Sequence, residues 1–458
     1  MENKGSKKKR VITYGTFDLF HEGHLNILKR AKQYGDYLIV GVTSESYDRS
    51  RGKLNVKQSL AERIENVRKT GLADLIIVEE YEGQKIDDIQ KYDIDTFVIG
   101  SDWLGKFDYL SEYCKVVYLE RTKGISSTQL REKEFGIVKL GIVGCGRIAR
   151  RFLPESKFVS GLEVIGAFDV DRKKAEEFVS SFEVMNSYNS YKDMLKEVNA
   201  VYIATPHAYH FDYAKDALLN SKHVLCEKPL TLDSASAATL FQLAEEKNCV
   251  LLEAIKTAYC PGFQKLVALS KAKTVGDIKC LEATFTKLVD DKNSREYDKS
   301  IGGGSLYELG SYPLMAAIKI LGCEPKNTLI FSSKDKDKDI DLFTTVILVY
   351  SSAIAILKAG IGAKSEGNMI ISGTSSYIYV PAPWWKTEYF EVRSENPLGK
   401  KAYYEKFDGE GLRYEIAEFV SMITSNRIKS YKLKPEESVC ISGVLEKLKS
   451  DEALNYAF

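Results

Sequence analysis

Short apolar runs punctuate the first part of the chain at Val11–Tyr14, Tyr37–Thr43, Leu75–Glu79, Thr96–Ile99 and Lys115–Leu119. Helical patterning lies between them, beginning with Leu25–Ala31. This alternation predicts a parallel, doubly wound sheet, whose ligands bind at the carboxyl ends of its strands. The rhythm restarts at Val138–Val143 and continues through Glu163–Phe168, Ala200–His207 (a strand ending in a turn) and His223–Cys226. Further on, Lys279–Lys287, Thr344–Ala359 and Met369–Val380 are rich in strand formers. Thr344–Ala359 is the nearest approach to a membrane span, but Tyr350–Ser351–Ser352 and Lys358 break it, predicting two strands joined by a turn.

A length of 458 residues exceeds what one hydrophobic core organises, so two or three domains are expected. The 44% hydrophobic and 28% charged content is that of a soluble globular protein. A net charge of +1 argues against nucleic-acid binding by bulk electrostatics. The basic start Lys7–Lys8–Lys9–Arg10 reads as a solvated tail, and with no apolar run after it, it is not a signal peptide. The eight cysteines are scattered without a C-x-x-C pair, which argues against a zinc site and suits a reducing cytosol. The expectation is a cytoplasmic protein with no nucleic-acid or membrane partner.

Only five histidines occur, and two of them fall in Gly15–Thr16–Phe17–Asp18–Leu19–Phe20–His21–Glu22–Gly23–His24. That stretch joins the first predicted strand to the first predicted helix. A helix start presents orphan N–H groups and a positive dipole end to an anion, and His21 and His24 could reach one anion together. Arg51–Gly52–Lys53, after the second strand, could reach a triphosphate tail. Gly100–Ser101–Asp102–Trp103, after the fourth strand, puts Asp102 at the carboxyl edge of the sheet. Arg121–Thr122–Lys123–Gly124–Ile125–Ser126–Ser127–Thr128 follows the fifth, combining a bidentate phosphate donor, a glycine turn and hydroxyl caps for a helix starting near Thr128.

On H-x-G-H and on R-T-x-G-I-S-[ST]-T at Arg121–Thr128, residues 10–131 resemble a glycerol-3-phosphate cytidylyltransferase of the nucleotidyltransferase superfamily. The resemblance implies that His21 and His24 stabilise the pentacoordinate α-phosphate of CTP, with Lys53 and Arg121 also catalytic through the phosphates. It implies a CTP site made of Tyr14, Gly15, Thr16, Phe17, Asp18, Arg63, Asp102, Thr122, Gly124, Ile125, Ser126, Ser127 and Thr128. Thr16 and Asp18 shape that site, and Arg63 lies on the helix facing it. Family members usually carry a second arginine about eight residues after the one matching Arg63. Here that position is Gly71, leaving Arg68, Lys69 or a different acceptor contact. Mg²⁺ would neutralise the triphosphate, and no dedicated metal cage is visible.

The link Glu132–Ile137 is short, so docked rather than loosely tethered units are expected. Val138–Val143 then runs into Gly144–Cys145–Gly146–Arg147–Ile148–Ala149, a G-x-G-x-x-A phosphate turn opening a helix. Asp169 ends the next strand, about twenty residues on, where a carboxylate accepts from a ribose 2′-OH. Asp169 leans toward NAD, while Arg147 and Arg172 keep NADP open. Glu227–Lys228–Pro229 places a lysine at the end of a strand, where it can face a nicotinamide.

G-x-G-x-x-A, A-T-P-x-x-x-H at Ala204–His210 and E-K-P, followed by Leu252–Glu253–Ala254, resemble the glucose–fructose oxidoreductase and inositol dehydrogenase family over residues 138–458. The resemblance implies a Rossmann domain followed by a C-terminal α/β substrate domain with an open, mostly antiparallel sheet. It implies a cofactor set of Gly144, Gly146, Arg147, Ile148, Ala149, Asp169, Arg172, Thr205, Pro206, His207, His210, Glu227, Lys228 and Pro229. The catalytic pair would be Lys228 and Tyr312, the latter in Gly302–Pro313 where relatives carry D-x-G-x-H or D-x-G-x-Y. Lys228 would lower the pKa of Tyr312 or polarise the carbonyl.

The expectation is an α/β chain with a Rossmann-like cytidylyltransferase domain at 8–132, an NAD(P)-binding Rossmann domain at 138–259 and a substrate domain at 260–458. It would be a bifunctional enzyme making a CDP-activated polyol from CTP, a polyol or sugar phosphate and NAD(P)H, for a bacterial surface polymer. Alternatives are an oxidoreductase half acting on an unrelated substrate, or one serving as a nucleotide-sensing or oligomerising module. Both families imply a homo-oligomer.

Overall fold

The computed structural model describes residues 8–50, 52–53, 56–81, 83–120, 137–396, 399–449 and 454–457. The chain divides into two compact units. The first comprises Met1–Val138 with Ser156–Glu163 and Val179–Met185; the second comprises Lys139–Glu155, Val164–Phe178 and Asn186–Phe458.

In the first unit β1 (Arg10–Gly15), α1 (Glu22–Lys32), β2 (Tyr37–Thr43), α2 (Glu45–Ser50), α3 (Leu60–Lys69), β3 (Leu75–Glu79), α4 (Gln84–Lys91), β4 (Thr96–Gly100) and β5 (Lys115–Leu119) follow the predicted rhythm. The sheet order is β3-β2-β1-β4-β5, with every pair parallel. Strand order reverses at β1, and the loop leaving β1 at Gly15 sits at that switch point, where such sheets bind ligands. The two faces of the sheet follow the period of two along β1. Val11 packs with Phe17, Leu28 and Val40 on one face; Ile12 and Tyr14 pack with Ile89, Phe97 and Leu110 on the other.

The second unit opens with β6 (Val138–Val143), α5 (Arg147–Ser156), β7 (Leu162–Phe168), α6 (Arg172–Phe182), β8 (Asn186–Ser187), α7 (Tyr191–Glu197), β9 (Ala200–Ile203), α8 (His210–Leu219), β10 (His223–Glu227), α9 (Ser234–Glu246) and β11 (Leu251–Ala254). Their sheet runs β11-β10-β9-β6-β7-β8. It is again doubly wound, with its switch point at β6, just ahead of the glycine turn. The strands are nearly all buried, as expected for a parallel sheet covered on both faces.

After α10 (Pro261–Lys271) come β12 (Ile278–Thr286), α11 (Ser311–Leu321), β13 (Asn327–Lys334), β14 (Asp341–Val349), β15 (Ile354–Gly360), β16 (Met369–Gly373), β17 (Ser376–Val380), β18 (Tyr389–Ser394) and β19 (Lys401–Tyr404). Then follow α12 (Leu412–Thr424), α13 (Pro435–Glu446) and β20 (Leu454–Ala457). The strands make one sheet in the order β19-β18-β17-β16-β12-β15-β14-β13-β20. It is antiparallel except for β12–β15 and β13–β20. Thr344–Ala359 is part of the β14–β15 hairpin, and no helix among the described residues is long and apolar enough to cross a membrane.

Candidate functional sites

The loop after β1 holds an unusual backbone: Phe17 and Leu19 have φ of 52° and 45°. Non-glycine residues enter that region only when the surroundings over-determine it. Here the Asp18 carboxylate accepts from the N–H groups of Lys57 (3.0 Å) and Gln58 (2.9 Å), and Gln58 Oε1 accepts from Leu19 N (2.8 Å). The loop is thereby pinned to the start of α3.

His21 is the N-cap of α1, and its Nδ1 accepts from Gly23 N at 3.0 Å. His24 Nδ1 accepts from His21 N at 3.4 Å, and the two rings stack with centroids 4.0 Å apart. An imidazole whose Nδ1 accepts carries its proton on Nε2. Both rings are therefore oriented as Nε2 donors at a helix N-terminus. Gly23 permits this packing, since a Cβ there would lie 2.7 Å from His21 Cε1.

Thr16 Oγ1 donates to Asp48 (3.1 Å), as does Thr43 Oγ1 (2.8 Å). Arg63 is fully buried; its Nε and Nη1 donate to the carbonyls of Gln58, Thr16 and Thr43 and to Asp48 at 3.3 Å. Arg63 is thus a tether of three segments rather than a phosphate clamp open to the site. Only its Nη2 lacks a partner. Asp48, which no spacing pattern singled out, is the hub of this buried network.

Two other expected CTP contacts turn inward. The Tyr14 ring packs on the α4 face and its hydroxyl donates to Asp88 at 2.8 Å; burial and that carboxylate push the phenol well above its ordinary pKa. Phe17 is 2% exposed and belongs to the opposite core. The rings of Tyr14 and Phe17 both face the core. Lys53 donates to the carbonyl of Lys157 at 3.1 Å, a residue of the same unit. Gly71 follows the end of α3 at φ 66°, and the exposed Arg68 pairs with Glu65. Ser101–Trp103 forms a single turn after β4, which puts Asp102 at the sheet's carboxyl edge. Arg121, Thr122, Gly124, Ile125, Ser126, Ser127 and Thr128 lie outside the described residues.

In the second unit Gly144 turns at φ 91°, with a Cβ position 2.8 Å from the Ala204 carbonyl, so the strand-to-helix turn lies directly against the end of β9. Ile148 and Ala149 open α5 behind it. Around Gly146 the space is open. Asp169 at the end of β7 accepts from Cys145 N (2.8 Å) and Asp171 N (2.9 Å), which fixes its carboxylate over the turn. Thr205 Oγ1 is buried in the same crevice without a partner. An open glycine turn, a positioned carboxylate and an orphan hydroxyl fit a dinucleotide. Arg172 pairs with Glu176 (2.7 Å) and Arg147 with Glu296 (2.9 Å), so both arginines considered for a 2′-phosphate already have carboxylate partners.

His207 and His210 are interior braces rather than cofactor contacts. His210 sets Nδ1 2.8 Å from the Pro229 carbonyl and Nε2 2.9 Å from that of Thr205, joining the turns that follow β9 and β10. Burial lowers its pKa to about 4. His207 Nδ1 lies 2.9 Å from the Gly302 carbonyl, and burial lowers its pKa as well. Glu227 also points inward, accepting from the Tyr202 hydroxyl at 2.6 Å.

Lys228 Nζ donates to the carbonyl of Glu308 at 2.7 Å. That carbonyl belongs to a π-helical turn, Leu306–Gly310, leading into α11. Widened turns of this kind release backbone groups from the helical ladder and recur at functional sites. Asp341 on β14 anchors the turn by accepting from Ser305 Oγ and from Leu306 N (2.7 Å). Glu308 itself accepts from Arg295 (2.9 Å), a residue that no spacing pattern singled out. Gly304 is required here: its φ is 111° and a Cβ would lie 2.2 Å from Asp341 Oδ1. Gly304→Ala is expected to destabilise the second unit by roughly 1–3 kcal/mol and to reduce its oxidoreductase activity. Denaturant midpoints and carbonyl-reduction rates check this.

Tyr312, the second residue of α11, has its ring edge-on to Phe285, which stacks on Trp385. Its phenol sits well above the ordinary value through burial, then through the carboxyls of Glu227 and Glu415. The charges that act most strongly on Tyr312 do not include Lys228. Burial acts on Lys228 as well, lowering its ammonium pKa.

A cytidylyltransferase-like family model matches residues 12–187. The model of the oxidoreductase family with an NAD-binding Rossmann fold matches 138–254, and that of the GFO/IDH/MocA C-terminal domain matches 263–379. Glycerol-3-phosphate cytidylyltransferase of Bacillus spizizenii is 53% identical over 27% of this chain and 95% of its own. An uncharacterized oxidoreductase, ORF334, of Rhizobium meliloti is 31% identical over 54% of this chain and 75% of its own.

The chain belongs to both families, cytidylyltransferase-like in its first part and GFO/IDH/MocA oxidoreductase in its second. It is a cytidylyltransferase fused to an NAD(P)-dependent oxidoreductase. KijD10, a 3-ketoreductase from Actinomadura kijaniata solved with NADP and TDP-benzene, shares the fold of the second part. Its TM-score is 0.64 at 22% identity, covering 70% of this chain and 99% of that one.

Proposed function

We propose that this cytidylyltransferase–oxidoreductase makes a CDP-activated polyol. The first unit would transfer CMP from CTP to a polyol or sugar phosphate; the second would reduce a sugar or keto carbonyl with NAD(P)H. The observation that carries the reading is the presence of both chemistries on one chain: stacked Nε2 donors at a helix N-terminus, and a lysine held by a π-turn carbonyl in the oxidoreductase half. Fusion suits consecutive steps on a shared intermediate. The name of the Bacillus spizizenii relative supports an alcohol phosphate as the acceptor.

In the transfer, an oxygen of the acceptor phosphate forms the new bond to the α-phosphorus as the bond to pyrophosphate breaks. Charge gathers on the equatorial oxygens, where His21 and His24 donate and the α1 dipole assists. Mg²⁺ carried by CTP would offset the triphosphate charge; among the described residues no acidic cluster would hold a metal by itself. In the reduction, the bound nicotinamide supplies the hydride. Gly144, Gly146 and Thr205 hold the dinucleotide, and Asp169 meets the ribose, favouring NADH. Lys228 polarises the carbonyl and Tyr312 gives the proton to its oxygen.

In this reading the cytidylyltransferase domain spans 8–132, the dinucleotide domain 138–259 and the substrate domain 260–458, in a homo-oligomer. The scattered cysteines suit the cytoplasm, and the product would serve a bacterial surface polymer such as a teichoic acid or capsule. Incubation with CTP, Mg²⁺, NAD(P)H and a panel of ketose phosphates tests the scheme. Mass spectrometry should find a CDP-polyol together with nicotinamide oxidation. Pyrophosphate release without nicotinamide oxidation across the whole panel overturns the two-step reading.

A further inference from the structure

Two of the scattered cysteines, 117 positions apart in sequence, meet in the second unit. Cys323 follows Gly322, whose φ of 103° ends α11, and Cys440 lies within α13. Cys440 Sγ donates to the Cys323 carbonyl at 3.4 Å. In return, Cys323 Sγ donates at 3.8 Å to the carbonyl of Glu436, one helical turn ahead of Cys440. Each thiol thus lies against the backbone that carries the other.

Other contacts hold the two segments in this register. Lys319, in the last turn of α11, is buried against Glu437 in the first turn of α13 at 2.8 Å, and it donates to the Tyr431 carbonyl at 2.9 Å. The Gly322 carbonyl accepts from the Tyr350 hydroxyl at 2.9 Å. The cysteines are therefore kept side by side without any bond of their own.

The two thiols are unlike. Cys440 can turn its proton onto an ionised Cys323, which holds the Cys323 thiol below its ordinary pKa; Lys434 acts in the same direction, against burial and the carboxylates of Glu436 and Glu437. Keeping that proton pushes Cys440 up. Burial pushes up the other six cysteines. Cys323 and Cys440 are both partly exposed, whereas Cys145, Cys226, Cys249 and Cys260 are buried. An accessible sulfur that ionises readily beside a second thiol is the arrangement that peroxide oxidises.

We propose that Cys323 and Cys440 are a modification site, a dithiol that hydrogen peroxide converts to a reversible disulfide with Cys323 as the attacking sulfur. Cys323 sulfur bonds to one peroxide oxygen, the O–O bond breaks, and the hydroxide released takes the thiol proton as water. Cys440 sulfur then bonds to Cys323 sulfur, the S–O bond of the sulfenic acid breaks, and the departing hydroxide takes the Cys440 proton. Two thiols lose two electrons and two protons, and one peroxide becomes two waters. Excess small thiol reverses the bond by exchange. The bond joins α11, which carries Tyr312, to α13, where Ser442 meets Thr231 just beyond Lys228 at 3.2 Å. The inference is independent of either proposed activity.

The test treats the reduced full chain with a few equivalents of hydrogen peroxide, alkylates the remaining thiols in denaturant and maps the digest without reduction. A Cys323–Cys440 peptide from single chains should be the main product, and dithiothreitol should return both thiols. Cys440→Ser should stop at the sulfenic acid, which a cyclic 1,3-dione traps on Cys323. Cys323→Ser should slow oxidation of Cys440 by at least about tenfold. Absence of the Cys323–Cys440 peptide, its presence only in covalently linked dimers, or a C323S chain oxidised at Cys440 as fast as the wild type each overturn the proposal. If a serine variant fails to fold, the wild-type peptide map decides, since it needs no substitution.

Discussion

His21→Ala is expected to lower cytidylyl transfer by about 10²–10³-fold in kcat, because it removes one preorganised donor from the charge that builds at the α-phosphate. The loss should exceed that of a simple donor. His21 is also the N-cap of α1, and its ring stacks on that of His24, so the substitution loosens the second imidazole too. His21→Asn supplies a side-chain oxygen that can cap in place of Nδ1 and should restore the stability of α1 without restoring the rate. Pyrophosphate release with CTP and an acceptor phosphate measures both. The same variant reports the order of steps. Reduction of a phosphorylated ketose that continues at full rate places reduction first; loss of both activities places cytidylyl transfer first.

Lys228→Ala should remove about 10²–10³-fold of the carbonyl-reduction rate while leaving cytidylyl transfer unchanged. Lys228 is the cationic donor that the π turn holds through the Glu308 carbonyl, and alanine leaves that carbonyl without it. Lys228→Arg should not rescue, since a planar guanidinium does not fit the place of a point charge bonded to one backbone oxygen. Nicotinamide oxidation measured beside pyrophosphate release separates this outcome from global unfolding. Full reduction by K228A would remove Lys228 from the chemistry.

Where sequence reading succeeded, the chemistry is local. H-x-G-H and G-x-G-x-x-A are turns in which glycine, cap and helix start lie within one short segment, so the spacing alone specifies the geometry. The parallel sheets were equally legible, because buried strands alternating with helices leave a strong apolar rhythm. Where it failed, the decision depended on a face or on a distant partner. Tyr14 and Phe17 belong to the right loop, yet strand alternation and a left-handed φ send their side chains into opposite cores. Arg63 lies on the expected helix, but the carbonyls of Thr16 and Thr43 claim it. His207 and His210 fall within a recognisable motif and brace its backbone rather than a ligand.

Sequence alone establishes that a cytidylyltransferase-like unit and a Rossmann oxidoreductase unit share this chain and where their strand-to-helix glycine turns lie, because such turns impose residue types at fixed short spacing. The tertiary structure alone decided which polar residues reach those sites. Asp341 anchors a helix start 35 residues earlier, and Arg413 neutralises a glutamate 258 residues away. Glu415 is an ordinary helical glutamate in the sequence; only close packing removes it from water and leaves both of its carboxyl oxygens without a partner.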